Sequence, residues 1–363
     1  MSQEDWLNRV QERERTDEAR IMHLEILLEG QAISHVGLRL REVWLCGCRT
    51  RVGSIGGVAT EPEYRRRGLA TRLMERAIRR IDEEGGDLML VSGDRGLYRR
   101  LHCVPAGKIH RVRLSRAEAE GLHRPGLELK VAEPADFLDF VALYEKEPVR
   151  WHRSWEDFQW GLKHTPAPAW TPTNALLVRR KGETLGYLIV QEPARVERGR
   201  GQRAFLSEYA GVRSALLGAV SQLFTLYPVP ELVFHVPAHD AEMLYLLADQ
   251  GIASETSTLP GHTFKVINLP RLMERLEPYL QGRLREEERR ELSFQQEGET
   301  FRLAAGGETL ELAGGEIEPV IFGPPEGPGI PQSRPLPLGG GKLHSLLSKV
   351  FPLPFPWPGL DTI

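Results

Sequence analysis

The stretch "GGVATEPEYRRRGLATRLMERAIRRIDEEGG", Gly56–Gly86, decides the reading of this chain. An apolar strand ends, three arginines and a glycine follow, and a helix begins at once. Leu69, Leu73, Ala77 and Ile81 recur every four residues, with Met74 and Ile78 beside them, which predicts one buried helical face. Gly85-Gly86 ends it. The first amides of a helix have no partner within it, and the helix dipole adds partial positive charge there. Gly68 can take the left-handed conformation that turns successive amides toward one point, and Arg65, Arg66 and Arg67 add charge around it. Such a junction suits a pyrophosphate, the alternative being a solvated helix start with surface arginines. No Lys-Ser/Thr follows a Gly run and no G-x-G-x-x-G occurs, so neither a Walker loop nor a dinucleotide fingerprint is present.

Outward from this junction, residues 21–60 read as antiparallel strands. "MHLEILLEG" and "QAISHVGLRL" meet at Glu29-Gly30, "REVWLCG" comes next, and "RVGSIGGVAT" closes the series. After the helix, "DLMLVSG" is a short, nearly uncharged strand, as expected when both faces are covered, "DRGLYRRL" a turn of helix, and "AGKIHRVRL" a strand. A second unit from Leu127 to Leu259 repeats the order strand, helix, strand, helix, with a turn at Lys181-Gly182, so the chain reads as an internal repeat of about 130 residues. A third unit starts near His262, with a strand and helix, a charge run "RLREEERREL" and a Gly-turned meander. The stretch "GPPEGPGIPQSRPLPLGGG" forms no regular structure, Leu343, Leu346, Leu347 and Val350 mark a short amphipathic helix, and the Pro-punctuated tail "FPLPFPWPGLDTI" ends the chain.

With 363 residues the chain exceeds one common domain size, so two or three cores are expected. A formal charge of −3 argues against a general nucleic-acid binder. The first 20 residues lack an apolar core, and the most hydrophobic long window, Ala215–Val236, holds Gln222, Pro228, Pro230, Glu231 and His235. Neither a secretory signal nor a membrane span is expected, and a cytoplasmic location is. Of three cysteines, Cys46 and Cys48 fall on one face of the same predicted strand and Cys103 lies far away; they read as small buried residues, and no metal is expected. His235 and His239 straddle Pro237 at a strand end, which disfavours a zinc pair.

"Arg65-Arg66-Arg67-Gly68-Leu69-Ala70" resembles the R/Q-x-x-G-x-G/A signature of the GNAT superfamily of N-acetyltransferases, and "VSGDRGLYRRLHCVPAG" resembles that fold's later strand and tyrosine turn. The whole layout is similar to acetyltransferases of the enhanced intracellular survival (Eis) type. The fold class this implies is α/β (α+β): two tandem GNAT-like mixed-sheet domains, residues 1–125 and 126–261, followed by a sterol-carrier-like α+β domain with a C-terminal tail, residues 262–363. The second unit, with "EYAGVRSALLGAV" at the corresponding place, lacks the phosphate loop, which makes the first the catalytic one.

The resemblance implies acetyl-CoA as acyl donor and a primary amine, of a small molecule or a lysine side chain, as acceptor, by direct attack. The backbone of Val58, Ala59 and Thr60 would pair with the pantetheine arm, Arg65 to Thr71 would cradle the diphosphate, and Asp94 joins the donor-binding set. It also implies that Tyr98 protonates the leaving thiolate, that the terminal carboxylate of Ile363 acts as base, and that homo-oligomers up to a hexamer form. The family's acceptor wall has no match in "MSQEDWLNRVQERERTDEAR". Glu208, Tyr209 and the run "RWHRSWEDFQW", with Trp151, Trp155, Glu156, Asp157 and Trp160, offer a site for a cationic amine or else ordinary inter-domain packing. From another class, the chain also reads as a CoA- or lipid-binding regulatory protein without catalysis.

Overall fold

A computed structural model describes residues 9–164, 173–191, 203–259, 261–324 and 341–361. The strands form three sheets, and they include one, within residues 10–16, that the sequence reading did not expect. The first contains β1 (Val10–Thr16), β2 (Met22–Leu28), β3 (Gln31–Leu45), β4 (Cys48–Thr60) and β5 (Leu88–Ser92). The chain then supplies β6 (Ile109–Ser115), β7 (Glu128–Val131), the two-residue β8 (Arg150–Trp151), β9 (Thr173–Arg180), β10 (Glu183–Gln191), β11 (Arg203–Gly211), β12 (Glu231–Pro237) and β13 (Ser254–Ser257). Last come β14 (His262–Val266), β15 (Ser293–Glu297), β16 (Thr300–Ala305) and β17 (Glu308–Ala313).

Sheet one runs β1-β2-β3-β4-β5-β14, with β8 paired to β3; sheet two runs β13-β6-β12-β11-β10-β9-β7; sheet three is β15-β16-β17. Each seven-stranded sheet has one parallel pair, β4 with β5 and β11 with β12, among antiparallel neighbours. The fold is thus mixed α/β, and its two large sheets share a layout.

The strand pairing does not follow the boundaries drawn on the sequence. β6 lies within residues 1–125 yet pairs with β12 and β13 in sheet two. β14, at the start of the third unit, closes sheet one against β5. Alternation of side chains specifies which face of a strand is buried; it does not say which sheet edge completes it. The segments "QAISHVGLRL" and "REVWLCG" merge into the single strand β3, and the hairpin turn falls at Cys46-Gly47, with φ of 51° and 83°. Cys46 is therefore in the turn and Cys48 in β4, rather than on one strand face.

The helix Leu69–Glu83 lies against sheet one with Leu69, Leu73, Met74, Ala77 and Ile81 buried, as its four-residue repeat requires. Those residues share a core with Ile55, Met89, Val91 and Tyr98. The opposite face of the sheet packs, through Val52, Leu88 and Phe264, on the helices Leu269–Arg275 and Glu277–Arg283, on sheet three and on the helix Lys342–Val350. No helix among the described residues is long and apolar enough to cross a membrane.

The apolar tail docks. Phe355 packs edge-on against Trp151 and Phe264, and the Trp151 indole N–H donates to the Trp357 carbonyl at 3.2 Å. Buried Asp361 accepts from the Arg153 guanidinium at 2.5 Å and pairs with Arg41. Arg153 also forms a two-pronged pair with Glu208 at 2.7 Å, and Glu208 accepts from the Leu360 amide at 3.0 Å. Burial and the neighbouring Arg39 push Arg41 down to about 9, while Glu208 lies below the usual carboxylate range because Arg153 outweighs its burial.

Candidate active site

The parallel pairing of β4 with β5 ends at Ile55 opposite Val91. From Gly56 onward the edge of β4 that faced β5 is open, while its other edge stays bonded to β3 through Ala59 and Thr60. The chain then turns through a short 3₁₀ helix, Pro62–Tyr64, and enters the helix Leu69–Glu83. Arg66 at φ 62° and Gly68 at φ 79° are both left-handed. Gly68 is the N-cap and provides no side-chain cap, and the first intrahelical bond runs from the Arg72 amide to the Gly68 carbonyl at 3.0 Å. The amides of Leu69, Ala70 and Thr71 thus precede the helical ladder and stand ready for an anion.

A cleft of about 830 Å³ opens here. It is lined by Val58, Ala59, Thr60, Tyr64, Arg65, Arg66, Gly68, Leu69, Ala70 and Thr71, and by Arg95, Leu97 and Arg100 from beyond β5. Nine of the predicted site residues meet in it. Three others do not line it. The Arg67 guanidinium lies over the Tyr64 ring, 5.8 Å from its centroid. Asp94 makes a bidentate pair with Arg99 at 2.7 and 2.9 Å, which holds its carboxyl below the ordinary range. Tyr98 is 1% exposed and packs in the core beneath the cleft. Burial raises the pKa of its phenol, with Arg95 pulling the other way, so it stays protonated at neutral pH. The remaining predicted residue, Ile363, lies outside the described residues.

Tyr64, Arg95, Leu97 and Arg100 were not singled out from sequence, although the last three stand in the quoted "DRGLYRRL". Their roles depend on tertiary approach. Arg95 Nη1 donates to the Val58 carbonyl at 3.3 Å, and Arg65 Nε donates to the Thr60 carbonyl at 3.0 Å. Two arginines thereby brace the open strand edge that an extended ligand would line, and four of them, Arg65, Arg66, Arg95 and Arg100, give the cleft a positive lining.

The candidate acceptor residues divide. Glu208 is held by Arg153 and by the Tyr187 hydroxyl at 2.8 Å, and the Tyr209 hydroxyl donates to Asp240 at 2.8 Å. Burial of Trp151 against the tail makes it packing too, and Trp160 lies under the Arg39 guanidinium. Asp157 accepts from Arg39 at 2.5 Å and from the Ser154 amide at 2.9 Å. His235 stacks on Trp357 with 4.7 Å between centroids; burial lowers both it and His239 to about 4. Sequence reasoning also passed over Asp17, His23 and His35, which form a hydrogen-bonded chain ending on Gly57, one residue from the cleft lining.

Comparison with known proteins places this geometry. Residues 2–105 match the family described as "Acetyltransferase (GNAT) domain". No curated protein matches the chain by sequence. Among solved structures, a GCN5-related N-acetyltransferase from Anabaena variabilis is 15% identical, with 93% of this chain and 85% of that one covered at a TM-score of 0.57. Eis1 from Mycobacterium abscessus is 14% identical over 91% and 87%, at 0.57. A protein of unknown function from Enterococcus faecalis described as a probable N-acyltransferase is 14% identical over 84% and 85%, at 0.58. At such identities these structures show a common fold. Residues 2–105 thus resemble a GNAT acetyltransferase domain, and the chain shares the fold of these structures.

Proposed function

We propose that the protein is an acetyl-CoA-dependent N-acetyltransferase that modifies a primary amine, of a small molecule or a lysine side chain, by direct attack. The observation that carries this reading is the cleft itself: unmatched amides at Leu69, Ala70 and Thr71, four arginines, and the open edge of β4 lead to one another in sequence and in space. A diphosphate fits the amides and arginines, and an extended pantetheine arm fits the strand edge from Thr60 toward Val58. Arg66 and Gly68, at positive φ, aim the loop amides inward. A main-chain amide near Val58 would hold the thioester oxygen as charge builds on it.

Tyr98 is the group proposed to hand a proton to the departing thiolate. Its phenol is protonated at neutral pH, and its helix, Gly96–Arg100, also presents Leu97 and Arg100 to the cleft. The terminal carboxylate of Ile363 keeps its proposed role as base, and the ion pairs of Asp361 with Arg41 and Arg153 are the observation that supports it. Residues 126–261 are proposed as a second GNAT-like unit without the phosphate loop. Residues 262–363 are proposed as a carrier-like scaffold that lends β14 and the tail to the first. Assembly into homo-oligomers and a cytoplasmic location remain part of the proposal.

The burial of Tyr98 beneath the cleft favours one second reading, a CoA-binding protein without transfer. Free-thiol release from acetyl-CoA, measured over polyamines, aminoglycosides and lysine peptides, separates the two. Calorimetric binding of CoA with no thiol release for any acceptor would select the second reading. Absence of CoA binding would remove both.

A further inference from the structure

Arg95 is fastened at both ends. Its carbonyl accepts from the Tyr98 and Arg99 amides at 2.9 and 3.3 Å, which starts the helix Gly96–Arg100, and its Nη1 donates to the Val58 carbonyl at 3.3 Å. One side chain therefore spans the gap that opens where β4 leaves β5, beyond Ile55 and Val91. The residue is exposed and lines the cleft. Among the described residues no carboxylate pairs with it, whereas the neighbouring Asp94 is taken by Arg99. Burial raises the Tyr98 phenol, and the Arg95 charge pulls it back.

This position answers a difficulty in the chemistry. A phenol at about 10 is a weaker acid than a thiol at about 8.5, and burial makes Tyr98 weaker still. Handing its proton to a thiolate is uphill and leaves a phenolate against an apolar core, which is costly unless a positive charge faces it. In water an exposed guanidinium is screened and does little. A pantetheine arm laid along the edge of β4 covers Arg95 from solvent, and the same charge then acts through a less polar medium. The carbonyl that anchors it belongs to Val58, at the inner end of the strand edge, where the thioester of such a donor lies.

We propose that Arg95 is a further catalytic residue of this site, the cation that holds the negative charge of the departing thiolate. This rests on the transferase reading above. In the step, the amine lone pair forms the bond to the thioester carbonyl carbon, the C–S electron pair leaves with sulfur, and the amine proton goes to the base. The thiolate takes the Tyr98 hydroxyl proton, giving free thiol and phenolate, and solvent restores the phenol. The charge sits on sulfur before that proton moves and on the phenolate oxygen after it, within reach of Arg95 in both places. The other titratable groups around the phenol are engaged elsewhere. Cys103, raised to about 12 by burial, stays a neutral thiol, Lys265 pairs with Glu299, and His35 is bonded to the Gly57 carbonyl. Of the remaining cations of the cleft, Arg65, Arg66 and Arg100, the first is held by the Thr60 carbonyl toward the outer end.

The decisive test needs no acceptor. The ultraviolet absorbance of the thiolate reads the ionisation of CoA bound to wild type, Arg95→Gln and Arg95→Lys, with the complex of desulfo-CoA, which lacks the sulfur, as the blank. In wild type the bound thiol should ionise about 1 pH unit or more below free CoA; Arg95→Gln should abolish that shift and Arg95→Lys should keep part of it. Calorimetry with desulfo-CoA should give wild type and Arg95→Gln the same affinity. With acetyl-CoA and the acceptor that wild type turns over best, kcat of Arg95→Gln should fall by about 10²- to 10³-fold, with partial rescue in Arg95→Lys. A thiol that ionises alike in the wild-type complex and in free CoA overturns the proposal and leaves the transferase standing. So does an Arg95→Gln variant that loses as much affinity for desulfo-CoA as for CoA, since the guanidinium then serves the phosphates. A wild type that binds no CoA overturns the transferase reading and this assignment with it.

Discussion

Tyr98 carries the sharpest chemical assignment, and its surroundings define how to test it. The ring is 1% exposed and a Cβ on Gly93 would come within 2.8 Å of its Cε2, so the side chain is held on all sides. Tyr98→Phe keeps that packing and deletes only the hydroxyl. We expect kcat for acetyl transfer to fall by about 10²- to 10⁴-fold, the usual range for loss of a general acid, while CoA affinity measured by calorimetry and the melting temperature stay put. A large loss of affinity instead would make the phenol a packing or binding group. Much of the loop that lines the cleft was legible in the residues themselves, because "RRRGLAT" combines a left-handed glycine, an uncapped helix start and adjacent charge. The histidine chain was not legible: His23 and His35 are separated by a hairpin, and nothing in "MHLEIL" or "AISHVG" announces that a register slip will bring their rings together.

At the scale of elements, the helix Leu69–Glu83 does two jobs with one geometry: its apolar stripe holds it to sheet one, and that attachment points its N-terminal amides into the cleft. Leu73 is fully buried at the middle of the stripe. Leu73→Ala should cost about 2–5 kcal/mol of unfolding free energy in urea melts, and should weaken CoA binding more than it changes the far-ultraviolet spectrum, since a loosened helix still forms but aims less well. Unchanged stability would mean that the helix is not anchored through this face. This stripe could be read in advance because its period is intrinsic to the helix. The strand pairing could not. β6 and β14 each look like ordinary alternating strands, and their exchange between the two large sheets depends on which edge each finds after its connecting loop. β3 reads as two segments for a related reason: Arg39, Arg41 and Glu42 interrupt its apolar pattern, and only the half-buried Asp157 and the buried Asp361 make two of those charges compatible with a continuous strand.

On the scale of the whole molecule, two buried acids tie the units together and make different predictions. Asp361 joins the tail to Arg41 of β3 and to Arg153, which in turn holds Glu208 of β11, so one carboxylate links the last described residue to both large sheets. Asp361→Ala leaves Arg41 without that partner, and removal of one member of a buried ion network should cost about 3–5 kcal/mol in urea melts, with the tail becoming open to carboxypeptidase. Unchanged stability and resistance would place the tail's anchorage in its aromatic residues instead. Glu318 works in the opposite sense. It lies fully buried on the helix Ile317–Phe322, where Oε1 accepts from the Val266 amide of β14 at 2.8 Å and Oε2 meets no partner. Burial pushes its carboxyl up to about 7, against the amide's contrary pull. An unfolded glutamate titrates near about 4.3, so between the two values the native state binds more protons than the unfolded one. Stability from this group is therefore complete below the unfolded value and is lost as pH rises through about 7. The effect is at most about 4 kcal/mol. Glu318→Gln, which mimics the neutral acid, should abolish that decline and leave the variant more stable than wild type at about pH 8, as read from urea midpoints across the interval. If wild type and variant lose stability in parallel, the carboxyl is ionised in the native state. The contact between β14 and the third unit would then have to rest on the apolar surfaces of Phe264 and Phe322, whose rings stack with 5.6 Å between centroids.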